Sequence, residues 1–162
     1  MSTLLKRYFT HYWKNATWDY NVERIESGSD RTLRHTASNM FRTRGVSKGD
    51  TVYIITVKWG RLLLLTKLVV AEVCSTEKAA RLLNNEDLWE AKDHIVAESP
   101  APIRHTFDVP LSITLQLRFE SSQQNKAPHF VIPGVLDQQT LRGVRELDYA
   151  SAQLLEKILF TE

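Results

Sequence analysis

From Thr51 to Val73 the chain is almost continuously apolar, and its residue types are those of strands. Thr51 to Val57 is rich in β-branched and aromatic residues and predicts one strand. Trp59-Gly60 predicts a hairpin turn, and Arg61 to Val73 a second strand, long and bent. Apolar residues at consecutive positions imply burial on both faces, or the curvature of a barrel. Leu111, Ile113, Leu115, Leu117 and Phe119 alternate with polar residues and predict a strand of period two. Near the end of the chain the spacing is helical. Ala152, Leu155 and Leu159 form one ridge with Leu154 and Ile158 beside it, and Asp148 is placed to cap the start. Leu33, Ala37, Met40 and Phe41 also fall at helical spacing, which predicts a helix over Thr32 to Arg44. Asp30 or Thr32 would cap that helix and Gly45 would end it, with Arg42 and Arg44 in the last turn.

The remaining segments are shorter. Leu4 to Trp13 fits a strand or a short helix, and periodicity does not decide. Asn21 to Arg31 is polar, with Ser-Gly-Ser-Asp at 27–30, and reads as a loop. Ser75 caps a short helix through Leu83, and Asn84 to Asp87 break it. Trp89 to Ala97 predicts a strand, and Pro100 and Pro102 an irregular connection. Ser121 to Pro128 is a polar loop, Phe130 to Val135 is a short apolar piece, and Thr140 to Leu147 predicts a last strand. There is no internal repeat and no low-complexity run. The organisation is one α+β domain over residues 1–162.

Composition adds limits rather than detail. A chain of 162 residues, 43% hydrophobic and 25% charged, builds one core without staples. A single cysteine, Cys74, excludes an internal disulfide and a cysteine-rich zinc site, and a packed thiol is its expected role. The first residues lack the charged-then-apolar order of a signal peptide, and the run Leu62 to Leu65 is too short to span a bilayer. Cytoplasmic residence without membrane contact is the expectation. Six scattered glycines make no phosphate-cradling loop, and the five histidines show no metal-ligand spacing. No metal or cofactor is expected. Glu86-Asp87 and the Glu90/Asp93 pair read as a solvated helix end or loop rather than an acid/base pair.

The charge is uneven. Residues 1–70 carry 12 Lys/Arg against 5 Asp/Glu, and residues 71–162 carry 9 against 14, so +7 and −5 sum to the net +2. The basic part also holds six aromatics within residues 1–20. Aromatics interleaved with cations suit base stacking and phosphate contact. Trp13 and Trp18 are the stacking candidates, with core packing as the alternative. Arg34, His35, Ser38 and Asn39 supply groups able to pair with base edges, or else a solvated face. Arg142 and Arg145 flank Gly143 on the last strand, where one would line a groove and the other pair with a nearby acid.

Three segments together resemble a known family. They are Thr17-Trp18-Asp19 followed by Leu33-Arg34-His35-Thr36-Ala37-Ser38-Asn39-Met40-Phe41-Arg42; Val46-Ser47-Lys48-Gly49-Asp50 leading into the strand pair that ends at Val73; and Thr140 to Leu147 running into the final helix. In that order they resemble the EVE-type branch of the PUA-like superfamily. The resemblance implies a small, strongly curved mixed β-barrel with flanking helices. It also implies a pocket that in relatives holds a nucleobase, often a modified one. The function that follows is a non-enzymatic module binding DNA or RNA, reading a modified or extruded base, with a partner protein or effector in a larger system. Two other readings stand beside it. Some PUA-like relatives resemble amidohydrolases acting on modified nucleosides with a lysine, a threonine and a glutamate, types found here at Lys67, Thr66 and Glu72. The third reading is a protein-interaction module built on the last helix or the acidic half.

Overall fold

The computed structural model describes residues 5–28, 31–120 and 126–160. Its centre is the expected hairpin. Strands β3 (Thr51–Lys58) and β4 (Arg61–Cys74) pair antiparallel around Trp59-Gly60. Both turn residues are left-handed, with φ of 50° and 73°, as the twist of a two-residue hairpin requires. At Trp59 this is an uncommon conformation for a bulky side chain. The residue is 91% exposed.

β3 is buried along nearly its whole length because apolar clusters cover both faces of the sheet. Val52 and Ile54 join Phe9, Trp13, Leu68 and Val70 on one face, whereas Tyr53, Ile55 and Val57 join Leu62, Leu64 and Leu155 on the other. The register slips between Ile54 and Ile55, where partners change from Thr66 to Leu64. Leu65 is the extra residue, and it switches β4 from one cluster to the other.

Strand β1 (Tyr8–Tyr12) lies parallel to β3, and its other edge takes the antiparallel β9 (Val144–Leu147). Beyond β4 come β5 (Asp93–Pro102) and then β2 (Thr32–Ser38), giving the order β2-β5-β4-β3-β1-β9. The short β6 (Phe107–Asp108) pairs with the start of β4, and β7 (Phe130–Ile132) with β8 (Val135–Leu136) forms a separate ribbon. Helices α1 (Asn15–Ser27), α2 (Thr76–Leu83), α3 (Leu111–Thr114) and α4 (Tyr149–Leu159) complete an α+β fold. No ladder joins β2 to β1 or β9 among the described residues.

Both expected capped helices form. Ser75 Oγ accepts from the Lys78 amide, and Asp148 Oδ1 from the Ser151 amide at 2.8 Å. Ala152 and Leu155 of α4 are fully buried. Tyr53 ties the helix to the sheet through a 2.7 Å hydrogen bond to Glu156, which Lys67 also holds.

Several elements differ from expectation. β5 starts at Asp93 and continues as a strand through Pro100 to Pro102, where an irregular connection was expected. Thr32–Ser38 is strand β2, not the start of a helix. Leu33 and Ala37 are four apart, a spacing shared by one helix face and one strand face, and the free edge of β5 decides for the strand. Only a turn follows, over residues 41–45. Residues 15–27 form α1, partly in place of the expected loop, because Trp18, Val22 and Ile25 make a narrow buried stripe in a polar segment. Leu111–Phe119 is not a strand. Pro110 opens the short α3, Leu111 and Leu115 are exposed, and Thr114, Leu117 and Phe119 are buried, at no period of two. The last strand is also shorter than expected, since the 3-10 turn Gln138–Leu141 and Gly143 (φ 78°) precede β9. Asp30 and residues 121–125 of the polar loop lie outside the described residues.

Candidate functional site

The β2 side of the sheet carries a cleft of about 490 Å³ between α1, β2 and the segment after α2. Tyr20, Asn21 and Arg24 reach it from α1, Arg34 and His35 from β2, and Asn85, Asp87 and Trp89 from the segment after α2. Tyr20 and Arg24 are four apart and so share one helix face. Arg34 sits where the β2–β5 register slips, and its side chain is exposed.

Rings stack inward from the cleft. Trp89 lies against His35 with centroids 5.9 Å apart and against Trp13 edge-on at 5.5 Å. Trp13 in turn meets Trp18 edge-on at 6.5 Å. Trp13 and Trp18 are each 2% exposed, so these two sequence candidates form the core behind the cleft and offer no open ring face. The half-buried Trp89 is the tryptophan at the cleft itself.

A hydrogen-bonded chain fixes His35. Its ring stacks on that of His94 at 5.0 Å, and His35 Nε2 lies 2.7 Å from His94 Nδ1. His94 Nε2 is 3.0 Å from Thr76 Oγ1, whose hydroxyl donates to the Ala91 carbonyl. With the Thr76 hydrogen committed, His94 donates through Nε2 and His35 donates through Nε2 to His94. His35 Nδ1 is left as an acceptor. Burial, and then His94, push His35 down to about 4, and burial lowers His94 too, so both are neutral at pH 7.

A second polar knot joins β1 to β2. Trp13 Nε1 donates to Thr36 Oγ1 at 3.0 Å, and Thr36 Oγ1 lies 3.0 Å from His11 Nδ1. Burial pushes His11 down to about 3.

Ser38 and Asn39 do not line the cleft. Ser38 Oγ accepts from the Met40 amide, and Asn39 Oδ1 from the Lys92 amide, so both shape the turn after β2. Arg142 and Arg145 lie elsewhere, in a hollow of about 630 Å³ at the β9 side that shares no lining residue with the cleft.

Compared with known proteins, the chain matches no family model, no curated protein and no solved structure.

Thr66 and Lys67 line a third cavity, of about 470 Å³, beside Arg104, Leu159 and Phe160. Glu72 is not with them, because it pairs with Lys78, while Lys67 is held by both carboxylate oxygens of Glu156 at 2.8 Å. The structure therefore does not assemble the three residue types considered for amide hydrolysis. Cys74 is buried, and burial raises its thiol, the opposite of nucleophile activation. No group of three or more His, Cys, Asp or Glu that could hold a metal occurs among the described residues. No helix among them is long and apolar enough to cross a membrane.

Trp89, Tyr20 and Arg24 were not singled out by the sequence. Trp89 stood at the start of an expected strand, which in fact begins at Asp93. Tyr20 and Arg24 would have been found from the Trp18–Val22–Ile25 spacing, which reveals α1 and hence their shared face.

Proposed function

We propose that the chain is a nucleic-acid-binding module that takes a single extruded or unpaired base into the β2-side cleft. The carrying observation is that Trp89 and the neutral His35 ring meet Arg24 and Arg34 in one cavity of about 490 Å³. That volume suits a small planar ligand. Trp89 supplies the apolar stacking surface, and stacking on an aromatic is worth roughly 1–3 kcal/mol per base. Arg24 and Arg34 carry no acid partner among the described residues and would meet phosphate. Asn85 and Asp87 would pair with a base edge, which lets a modified base be told from an ordinary one.

The EVE-type, PUA-like resemblance points the same way and brings with it a sheet wrapped toward a barrel. The side-chain bonds from Thr36 of β2 to Trp13 and to His11 of β1 support that curvature, because they link strands far apart in the sheet order.

The test is binding of short single- and double-stranded DNA and RNA, with and without modified bases, at two salt concentrations. Salt-sensitive binding that favours one base and is lost in both Trp89→Ala and Arg34→Ala is the expected result. Absence of binding to every oligonucleotide at low salt, or binding unchanged in both variants, overturns the proposal.

A further inference from the structure

The hollow at the β9 side gathers four cations beside two acids, Glu120 and Glu146. Arg44 comes from the turn before β3, Arg145 from β9, Arg142 from just before β9, and Lys126 from the residue bridged to Phe119. None of the four has an ion-pair partner among the described residues. The nearest acid is already engaged. Glu146 receives a two-pronged clamp from Arg7, with Nε at 2.9 Å from one oxygen and an Nη at 2.6 Å from the other. The other acid of the hollow, Glu120, is raised above the ordinary carboxylate value by burial and then by Glu146.

Arg145 is the fixed member. Its guanidinium lies over the Phe119 ring at 4.4 Å and donates to the Thr140 carbonyl. Burial, and then the charge of Arg44, hold Arg145 below its usual range, which places two guanidiniums within mutual repulsion. Like charges held together in a concave, partly dry site attract a multivalent anion. We infer that this hollow is a phosphate-binding site, seated on Arg145 with Arg44 and Arg142 closing over the oxygens. Its ligand is either a free phosphate compound or the phosphodiester backbone of a bound strand, and the second source rests on the nucleic-acid reading above.

The experiment is calorimetric titration of the intact chain with sodium pyrophosphate at low ionic strength. Wild type and Trp89→Ala are expected to bind alike, and Arg44→Ala and Arg142→Ala to bind roughly tenfold more weakly each. Both variants alter exposed side chains, so folding is preserved. Absence of binding, or equal binding in wild type and both arginine variants, overturns the site. The source is separated by competition. If saturating pyrophosphate weakens oligonucleotide binding by wild type but not by Arg142→Ala, the site serves a strand's backbone. If oligonucleotide binding is insensitive or absent while pyrophosphate still binds, the hollow serves a free phosphate compound, and it stands even when the cleft proposal fails.

Discussion

The cleft beside β2 and the hollow beside β9 are similar in size, but their chemistry differs. The cleft is floored by neutral rings. Trp89 leans on Trp13, and His35 is locked to His94 by a 2.7 Å hydrogen bond. The hollow is lined by charged groups, with Arg145 set on Phe119 and Glu146 clamped from outside by Arg7. Rings select by shape and stack at any salt concentration, whereas guanidiniums attract at range and weaken as salt rises. Under the proposed function, the rings of one edge would do most of the discriminating and the cations of the other most of the holding.

Acid separates the buried imidazoles from the guanidiniums most strongly. His11 and His35 sit near 3 and 4 in the folded chain, against about 6.5 when unfolded. Between these limits the unfolded chain binds protons that the folded one refuses. Stability is then complete above pH 6.5 and falls as pH drops toward 4 and 3, by about 1.4 kcal/mol per pH unit for each imidazole at full effect. Thermal melts from pH 7.5 to 4 are expected to show this fall, while pyrophosphate binding, measured where the chain is still folded, loses little to arginine titration. A melting temperature flat across pH 6.5 to 4 would remove the neutral-imidazole floor from the comparison.

Trp13→Ala should cost roughly 3–5 kcal/mol in denaturant unfolding, as a large buried aromatic does. Trp89→Ala should cost much less stability yet weaken oligonucleotide binding by roughly 1–3 kcal/mol. If the two variants lose stability equally, Trp89 is core and the cleft loses its stacking surface. The smallest effect is expected from Arg142→Ala, which should lower the salt slope of oligonucleotide binding by about one while leaving base preference intact. A change in base preference would show that the edges do not divide the work.

What the chain revealed of itself follows from how local each signal is. The β3–β4 hairpin and α4 were legible because turn, cap and apolar pattern all sit within their own segments. β2 was not, because Leu33 and Ala37 suit either period and the deciding partner, β5, lies about sixty residues away. α1 was half-hidden because a buried asparagine, Asn21, stands in its apolar stripe. Of the site, Arg34 and His35 were legible as polar groups near aromatics. Trp89 was not, since its role depends on Trp13 and His35 arriving from distant strands.

The position of β1 has a consequence for synthesis. Its residues pair on one side with β3 and on the other with β9, where Tyr8 faces Leu147. As the chain leaves the ribosome, β1 emerges first and waits for both neighbours. Until β9 has followed, Phe9 and Trp13 belong to a sheet whose edge is still bare. Such long-range pairing folds slowly and exposes apolar surface meanwhile. The aromatic segment of β1 thus stays uncovered along one edge until the last strand pairs with it.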